Sequence, residues 1–341
     1  MKDSKPEFDA MITSSFSGTV MVRTGKEIAF QSARGYANRS DYVPNVMETR
    51  FSLASVGKTF TAVTILQLVE EGWFSLDDDI LDILPEGTFL HVTKGVTVHH
   101  LLTHTSGMPD YFDESEQDDY ESLWDHRPVY KMRKAIDFLP MYNTLPMKEN
   151  PGTVFRYNNT GFLVLAMIIE QFSGKSFAET VNERVFAKAG MTYSGYFAFD
   201  HMPSKCATGY RDVENGWVSN IYDIPPIGGG DGGAWSNAQD LLKFWDALLE
   251  GVLLGPTMTS LMLKKHVDVA GDDAEGYGYG LWLKSIGNSN GFFLQGCDPG
   301  ASAVSLYDPL KNNAFVVLSN TSGGVWDICA ELIRIFSVDS L

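Results

Sequence analysis

The chain has 341 residues, of which 44% are hydrophobic and 12% aromatic, and it carries a formal net charge of −17 at pH 7 with a pI near 4.7. A chain of this length and composition can bury a large core, which excludes a disordered tail or an isolated coiled coil. The negative charge disfavours nucleic acids and anionic membrane surfaces as partners, so no nucleic-acid function is expected.

The N-terminal part of the chain predicts a β-hairpin followed by a buried helix. Strand-like runs cover residues 19–23 and 27–32, and "TGKE" between them has the composition of a hairpin turn. The apolar residues within 55–71 are spaced for a largely buried helix, and Gly72 is placed to end it. Ser55 is therefore expected at or beside the first turn of that helix.

The middle of the chain alternates helical patterns with loops, and the C-terminal part has strand patterns. Helices are predicted in "VTVHHLLTHTSG", in "GFLVLAMIIEQFSG" and in "SNAQDLLKFWDALLEG", the last with a capping box formed by Ser236 and Gln239. Four strand-length segments and a final helix then follow in the order "YGYGLWLK", "NGFFLQG", "ASAVSLYD", "NAFVVLSN" and "VWDICAELIRIFS".

Strands at both ends of the chain and helices between them predict an α/β fold. The expected architecture is one antiparallel sheet built from both chain termini and flanked by helices, with a large, mostly helical lobe inserted into it. The sheet lobe would comprise residues 1–75 and 275–341, and the helical lobe residues 76–274. The two lobes are expected to form one catalytic unit with its site in the cleft between them.

Ser55 and Lys58, in "FSLASVGKTFTA", are candidates for a nucleophile and its base. Residues three apart on a helix are neighbours, so the lysine amine can reach the serine hydroxyl. A serine is activated when a base takes its proton, and lysine can serve when burial or nearby positive charge lowers its pKa. Serine is also a favoured N-cap, and lysine is an ordinary surface residue. Taken alone, the pair fits a capped helix better than a catalytic site.

A second candidate element is "ENPGTVFRYNNTGF", which places Tyr157 and Asn159 on a turn just before a buried helix. A phenol and an amide at this point can relay a proton and bind a substrate carbonyl. The alternative is a turn tyrosine followed by a helix-capping asparagine. Tyr36 and Asn38 have the same spacing in "GYANRS", so the spacing alone does not identify a site.

The order of four motifs along the chain carries a family resemblance. "SVGK", "LLTHTSG", "PGTVFRYNN" and "GGAWSNAQDLLKF" follow one another as in the serine β-lactamase and penicillin-binding protein superfamily. Within it, the chain resembles the class C β-lactamases and their relatives, the family VIII esterases and D-amino-acid-specific peptidases. The resemblance spans nearly the whole chain. It implies Ser55 as the acylated nucleophile, Lys58 as its base, and Tyr157 with Asn159 as the second catalytic element.

The family's third motif, Lys-Thr-Gly or His-x-Gly on a strand lining the cleft, does not occur as such in this sequence. The matching segment is "FFLQGCDPGAS", in which Leu294 stands where the cation would be and Gly296 keeps the glycine. Loss of that cation removes a charge-assisted contact of about 1.5 to 3 kcal/mol to a substrate carboxylate, so efficient β-lactam hydrolysis is not expected. By the resemblance, the backbone N–H groups of Ser55 and Cys297 form the oxyanion hole. The predicted substrate-binding residues are Leu294, Gly296 and Cys297.

Three further patterns indicate structure more strongly than chemistry. "GGGDGG" at residues 228–233 lacks the Gly-Lys-Ser/Thr of a phosphate loop and predicts a tight bend. His100 and His104 are four apart, but a metal would need a third ligand, so buried or capping histidines are expected. Four aromatic residues are candidates either for lining a substrate cleft or for packing: Tyr111, Phe112, Trp124 and Tyr222.

No metal and no cofactor is implied, and the expected partner is a small acyl substrate, namely an ester, a D-peptide or a β-lactam. The three cysteines form no CxxC pair, which predicts neither structural disulfides nor a structural zinc. The sequence has no run of about 18 apolar residues and no signal-peptide core near its start, so no membrane span is expected. The chain as given is expected in the cytoplasm, or exported if it is a clipped form.

The sequence thus predicts a serine hydrolase that forms an acyl-enzyme on Ser55 and acts as a carboxylesterase on small neutral acyl substrates. The enzymatic alternatives are a D-amino-acid peptidase or amidase and a weak β-lactamase. A different class of function also stays open, namely a catalytically silent module that binds peptidoglycan or a partner protein.

Overall fold

The computed structural model describes residues 5–117, 119–269 and 275–337. Within them, the α-helices are Lys5–Met11 (α1), Gly57–Glu70 (α2), Ile80–Ile83 (α3), Val98–Leu102 (α4), Leu139–Tyr142 (α5), Asn159–Ser173 (α6), Phe177–Val181 (α7), Ala238–Leu249 (α8), Pro256–Leu263 (α9) and Trp326–Ser337 (α10). The strands are Gly18–Thr24 (β1), Glu27–Arg34 (β2), Tyr36–Asn38 (β3), Val43–Pro44 (β4), Phe51–Ser52 (β5), Tyr210–Val213 (β6), Gly216–Ser219 (β7), Trp235–Ser236 (β8), Val267–Asp268 (β9), Gly276–Tyr277 (β10), Trp282–Ile286 (β11), Ser289–Asp298 (β12), Ala301–Asp308 (β13) and Asn313–Ser319 (β14).

Eight strands form one antiparallel sheet that joins the two ends of the chain. The strand order is β2-β1-β14-β13-β12-β11-β10-β9. The N-terminal strand β1 pairs with β14 near the C-terminus, with Val20 opposite Val317. The predicted α/β class, with a sheet built from both termini and flanked by helices, is therefore confirmed, as is the N-terminal hairpin of β1 and β2.

The central strands are apolar on both faces, and helices cover each face. Side chains alternate along a strand, so Val20 and Met21 of β1 point into different cores. The core with Met21 includes α2, α6 and α8, whereas the core with Val20 includes α1 and α10. Because helices cover both faces of the sheet, β13 and β14 are buried along their whole lengths, including polar residues such as Ser302 and Ser305.

The predicted helix after Ser55 is present, but it starts later and is preceded by a tighter turn. Residues Ala54–Val56 form one 3₁₀ turn, and α2 follows from Gly57. Ser55 lies in the 3₁₀ turn, directly before the positive end of α2. Ala54 has a φ of +47°, a left-handed conformation that costs about 1 kcal/mol in a residue with a Cβ. The backbone is thus strained next to the candidate nucleophile.

Two local predictions were wrong in detail. The segment "YGYGLWLK" forms two strands, β10 and β11, because Gly280 has a φ of +71° and turns the chain between them. The N-cap of α8 is Asn237, whose side chain accepts a hydrogen bond from the Asp240 N–H at 2.9 Å. Ser236 instead pairs with the Ser194 hydroxyl at 2.7 Å, so no capping box with Gln239 forms.

Helix α8 lies against the sheet although its residues fall within the segment predicted to be a separate helical lobe. The indole of Trp245 donates a hydrogen bond to Ser305 Oγ of β13 at 2.8 Å. Arg23 of β1 forms an ion pair with Asp246 at 2.7 Å. The division at residues 75 and 275 stays a prediction. None of the described helices is both long and apolar enough to cross a membrane.

Candidate active site

The Lys58 amine forms hydrogen bonds with three groups that come from different parts of the chain. Its Nζ lies 3.0 Å from Ser55 Oγ, one turn earlier in sequence. It donates to the side-chain oxygen of Asn159, the first residue of α6, at 2.7 Å. It also donates to the main-chain oxygen of Asp231 at 2.6 Å. The structure thus brings the candidate residues Ser55, Lys58 and Asn159 together.

These partners define how a neutral Lys58 amine would be oriented. A neutral amine has two N–H groups and one lone pair. The oxygens of Asn159 and Asp231 can only accept hydrogen bonds, so they take the two N–H groups. The lone pair then faces Ser55 Oγ, which is the geometry that a base needs to accept the serine proton.

Burial favours the neutral form of Lys58. Lys58 is only 1% exposed, and the loss of hydration lowers the pKa of its amine. The carboxylates of Asp231 and Glu114 act in the opposite direction and raise that pKa, but burial is the larger effect. The net effect lowers the pKa of Lys58, so its amine becomes neutral at a lower pH than that of a surface lysine.

Tyr157 lies beside the same two residues. Its phenol is hydrogen-bonded with the Ser55 side chain, and the Lys58 Nζ lies 4.8 Å from the centre of its ring. The ring stacks on Trp282 of β11, with centroids 5.8 Å apart and planes at 15°. Burial raises the pKa of Tyr157 well above the ordinary value for a tyrosine. The phenol is therefore protonated near neutral pH and can donate a proton.

The start of α6 fixes Asn159. Its main-chain N–H donates to Asp110 at 2.6 Å, and the same carboxylate accepts hydrogen bonds from the N–H and hydroxyl of Thr160. The Asn159 side-chain NH₂ donates to Glu114 at 3.2 Å, which leaves its oxygen directed at Lys58. Burial raises the pKa of Asp110 to about 7. A carboxyl group thus anchors the amide that orients the candidate base.

The glycine-rich turn contributes a site residue that the sequence interpretation missed. Gly229 and Gly232 exchange main-chain hydrogen bonds, which places Asp231 at the tip of a tight bend, as predicted for residues 228–233. The Asp231 carboxylate accepts a hydrogen bond from the Tyr111 phenol at 2.6 Å. The only sequence signal was a single acidic residue among five glycines, because its partners lie far away in the chain.

Strand β12 passes the candidate nucleophile at Gly296. A Cβ at this position would clash with the Leu53 main-chain oxygen and lie 2.6 Å from the Ser55 nitrogen, so the close approach requires glycine. Leu294, predicted to bind substrate, is 1% exposed and packs in the core without lining the cavity. Cys297 is exposed and does line the cavity. Of the three predicted substrate-binding residues in β12, only Cys297 lines the cavity.

Ser55 opens into a cavity of about 940 Å³. Of the four aromatic candidates, Tyr111 and Phe112 line the cavity. Trp124 is buried behind two other lining residues, Tyr120 and Phe138, and Tyr222 is 75% exposed outside the cavity. Carboxylates are common near the nucleophile: Glu114, Asp231 and Asp298. Burial raises the pKa of Asp298 to about 7. The cavity near Ser55 is thus lined by carboxyl groups, of which Asp298 ionises only near neutral pH.

The other residues weighed in the sequence lie apart from this chemistry. Tyr36 and Asn38 are in β3 and do not border the cavity. His100 accepts a hydrogen bond from the N–H of Thr97 and so helps cap α4, as expected of a capping histidine. No group of three or more His, Cys, Asp or Glu suited to a metal ion occurs among residues 5–117, 119–269 and 275–337.

Known proteins similar to this chain include penicillin-binding proteins and an esterase. A solved penicillin-binding protein from Bacillus halodurans is 44% identical, with a TM-score of 0.90 over 96% of this chain and 100% of that one. Penicillin-binding protein 4* of Bacillus subtilis is 32% identical over a match that covers 69% of this chain and 52% of that relative. Esterase EstB of Burkholderia gladioli is 26% identical over 77% of this chain and 72% of its own.

The family model described as Beta-lactamase matches residues 10–339, nearly the full length of the chain. That match covers the 3₁₀ turn with Ser55, the start of α6 and strand β12, which are the elements that meet at the cavity. The chain therefore belongs to the beta-lactamase family.

Proposed function

We propose that the protein is a serine hydrolase that forms an acyl-enzyme on Ser55 and hydrolyses small esters without a net negative charge. The observation that carries this proposal is the set of hydrogen bonds at Lys58, in which two acceptor-only oxygens leave the amine lone pair facing Ser55 Oγ. An ordinary capping serine has no need of a buried lysine held in this orientation.

The reaction would proceed in two halves. Ser55 Oγ attacks the substrate carbonyl carbon while its proton passes to Lys58, and the backbone N–H groups of Ser55 and Cys297 stabilise the oxyanion. Tyr157 gives its proton to the leaving alcohol as the ester bond breaks, and it is reprotonated from Lys58. Water then attacks the acyl carbon, a proton returns to Ser55, and the carboxylic acid leaves.

The charge around Ser55 supports the choice of substrate class. Glu114, Asp231 and Asp298 line the cavity, and in their ionised forms they would repel the carboxylate of a β-lactam or of a peptide C-terminus. Burial raises the pKa of Asp231 and Asp298, so this repulsion grows with pH. By the family resemblance, Leu294 stands where related proteins have a cationic side chain, and Leu294 is buried. The esterase among the similar proteins fits the same choice.

A second candidate is an ester or amide whose acyl group carries an ammonium, as in D-amino-acid derivatives. The same carboxylates favour it, because Asp298 lines the cavity and its burial raises its pKa to about 7, a shift that a bound cation would reverse. Release of free D-amino acids from D-aminoacyl amides at a higher kcat/KM than release of acetate from p-nitrophenyl acetate would favour this candidate.

Intact-mass spectrometry with p-nitrophenyl acetate tests the proposal. The wild type should gain one acetyl group and release nitrophenol catalytically, and Ser55→Ala should do neither. Ser52→Ala, which alters another serine lining the cavity, is the matched control and should keep both properties. A wild type that forms no adduct with esters, D-aminoacyl amides or β-lactams would overturn the covalent mechanism and favour a silent binding module.

A further inference from the structure

His104 makes hydrogen bonds to the residues on both sides of Tyr157. Its main-chain oxygen accepts from the N–H of Arg156 at 2.9 Å, and its imidazole Nδ1 accepts from the N–H of Asn158 at 3.0 Å. A backbone group and a side-chain group of one residue thus bracket the tyrosine. Asn158 is the N-cap of α6 and precedes Asn159, so the same two bonds also fix the start of that helix.

The conformation of His104 makes this double contact possible. Its φ is +57°, a left-handed conformation that is uncommon for a residue with a Cβ. The residue is 1% exposed, and its ring packs against the Tyr157 ring with centroids 4.4 Å apart. On its other sides lie the rings of Phe162 and Tyr277, at 5.1 and 4.8 Å.

The residues after His104 form main-chain hydrogen bonds with the loop at residues 148–158, which contains Tyr157. Gly107 accepts a main-chain hydrogen bond from Lys148 at 2.8 Å, and Thr105 accepts one from Gly152 at the same distance. A Cβ at Gly107 would clash with the main-chain oxygen of Glu149. The "HTSG" segment at residues 104–107 therefore lies along the loop 148–158, and His104 is its contact nearest to the reacting groups.

We propose that His104 is a positioning residue, which holds the Tyr157 phenol at Ser55 through its two hydrogen bonds to the flanking main chain. The inference rests on the proposed function for its kinetic consequence. Because Nδ1 accepts from Asn158, the ring proton sits on Nε2, which has no hydrogen-bond partner among the described residues. Burial and the nearby Lys58 hold the pKa of His104 well below its usual value, so the acceptor persists in the working pH range.

Two amide variants separate the acceptor from mere packing. His104→Asn puts an oxygen where Nδ1 stands and tolerates a left-handed φ, whereas His104→Gln carries the same amide one bond too far. We expect kcat for p-nitrophenyl acetate to fall about tenfold to a hundredfold in the Gln variant with KM nearly unchanged, and the Asn variant to recover most of the loss. His91→Asn, at an exposed position, is the control. Equal kcat in the Asn and Gln variants, whether high or low, would overturn the proposal.

A measurement on the wild type covers the case in which a variant does not fold. Nitrogen-15 NMR of labelled histidine should find His104 as the Nε2–H tautomer, without titration between about pH 5 and 8. The Nδ1–H tautomer, or a titrating ring, would refute the bond to Asn158 and with it the positioning role. This readout needs no substrate, so it is independent of the Ser55 acylation experiment, and failure of the two can be told apart.

Discussion

The main-chain oxygen of Asp231 lies 2.6 Å from Lys58 Nζ, although the two residues are 173 positions apart. The contact uses the backbone and leaves the Asp231 carboxylate free to bind the Tyr111 phenol. The main-chain oxygen of Asp231 therefore orients the Lys58 amine, and the Asp231 carboxylate raises the pKa of that amine. This division allows the two effects to be separated by mutation.

Asp231→Asn should move the pH dependence of hydrolysis and preserve the fold of the turn. The Asp231 carboxylate raises the pKa of Lys58, so its removal should lower that pKa and shift the acid limb of kcat/KM to lower pH by up to about one unit. The amide oxygen can still accept from Tyr111. Asp200→Asn, at an ion-paired surface carboxylate, should leave the profile unchanged. An unchanged profile in Asp231→Asn would contradict the electrostatic role.

The activity of the wild type should rise with pH through the pKa of Lys58. A general base works in its deprotonated form, so kcat/KM falls as the pH drops below that pKa, which burial has lowered. Lys58→Arg should lose activity by about 10² to 10⁴ at every pH, because a guanidinium does not deprotonate. Lys94→Arg, with an exposed side chain, is the control. Retained turnover in Lys58→Arg would exclude the lysine as base.

Gly296→Ala should damage both stability and acylation. The added methyl group would meet the Leu53 oxygen and the Ser55 nitrogen, both main-chain atoms that cannot rotate away. We expect a loss of about 1 to 3 kcal/mol in the free energy of unfolding, together with loss of the acetyl adduct. Gly323→Ala meets no atom within 4 Å and should change neither property. Chemical denaturation and intact mass measure the two effects.

Leu294 should behave as a core residue, not as a substrate contact. Leu294→Ala should lower the free energy of unfolding by about 2 to 5 kcal/mol, since it leaves a cavity in the core that contains α2. Leu294→Met nearly conserves volume and should cost less than about 1.5 kcal/mol. In folded Leu294→Met, KM for p-nitrophenyl acetate should stay within about twofold of the wild type. A rise in KM without loss of stability would indicate that Leu294 contacts the substrate.

The sequence predicts the sheet and the long helices well because their residues repeat with the period of a strand or a helix. The two strands of the hairpin, helix α2 and the strands β12, β13 and β14 lie close to where the sequence predicts them. The split at Gly280 and the cap at Asn237 were not, since each depends on one residue's local conformation. A period of several residues carries no information about such single positions.

The candidate site could be predicted only in part for a related reason. Ser55 and Lys58 are neighbours in sequence, and Tyr157 and Asn159 belong to a motif, so both pairs could be found. Glu114, Asp231 and Asp298 lie on three separate segments that meet only in the folded chain. Burial of Leu294 also depends on the sheet's packing against α2, which no local pattern reports.

The pairing of β1 with β14 also sets when the site can form during synthesis. Ser55 is translated before the strand that passes it at Gly296 and before the strand that pairs with β1. Such contacts between distant segments form slowly, because a long loop must close first. A nascent chain that has not yet reached β12 therefore carries Ser55 and Lys58 without the strand that packs against the 3₁₀ turn at Gly296. If Ser55 is acylated as proposed, competence for acylation should appear only after β12 has been made and has packed against the 3₁₀ turn.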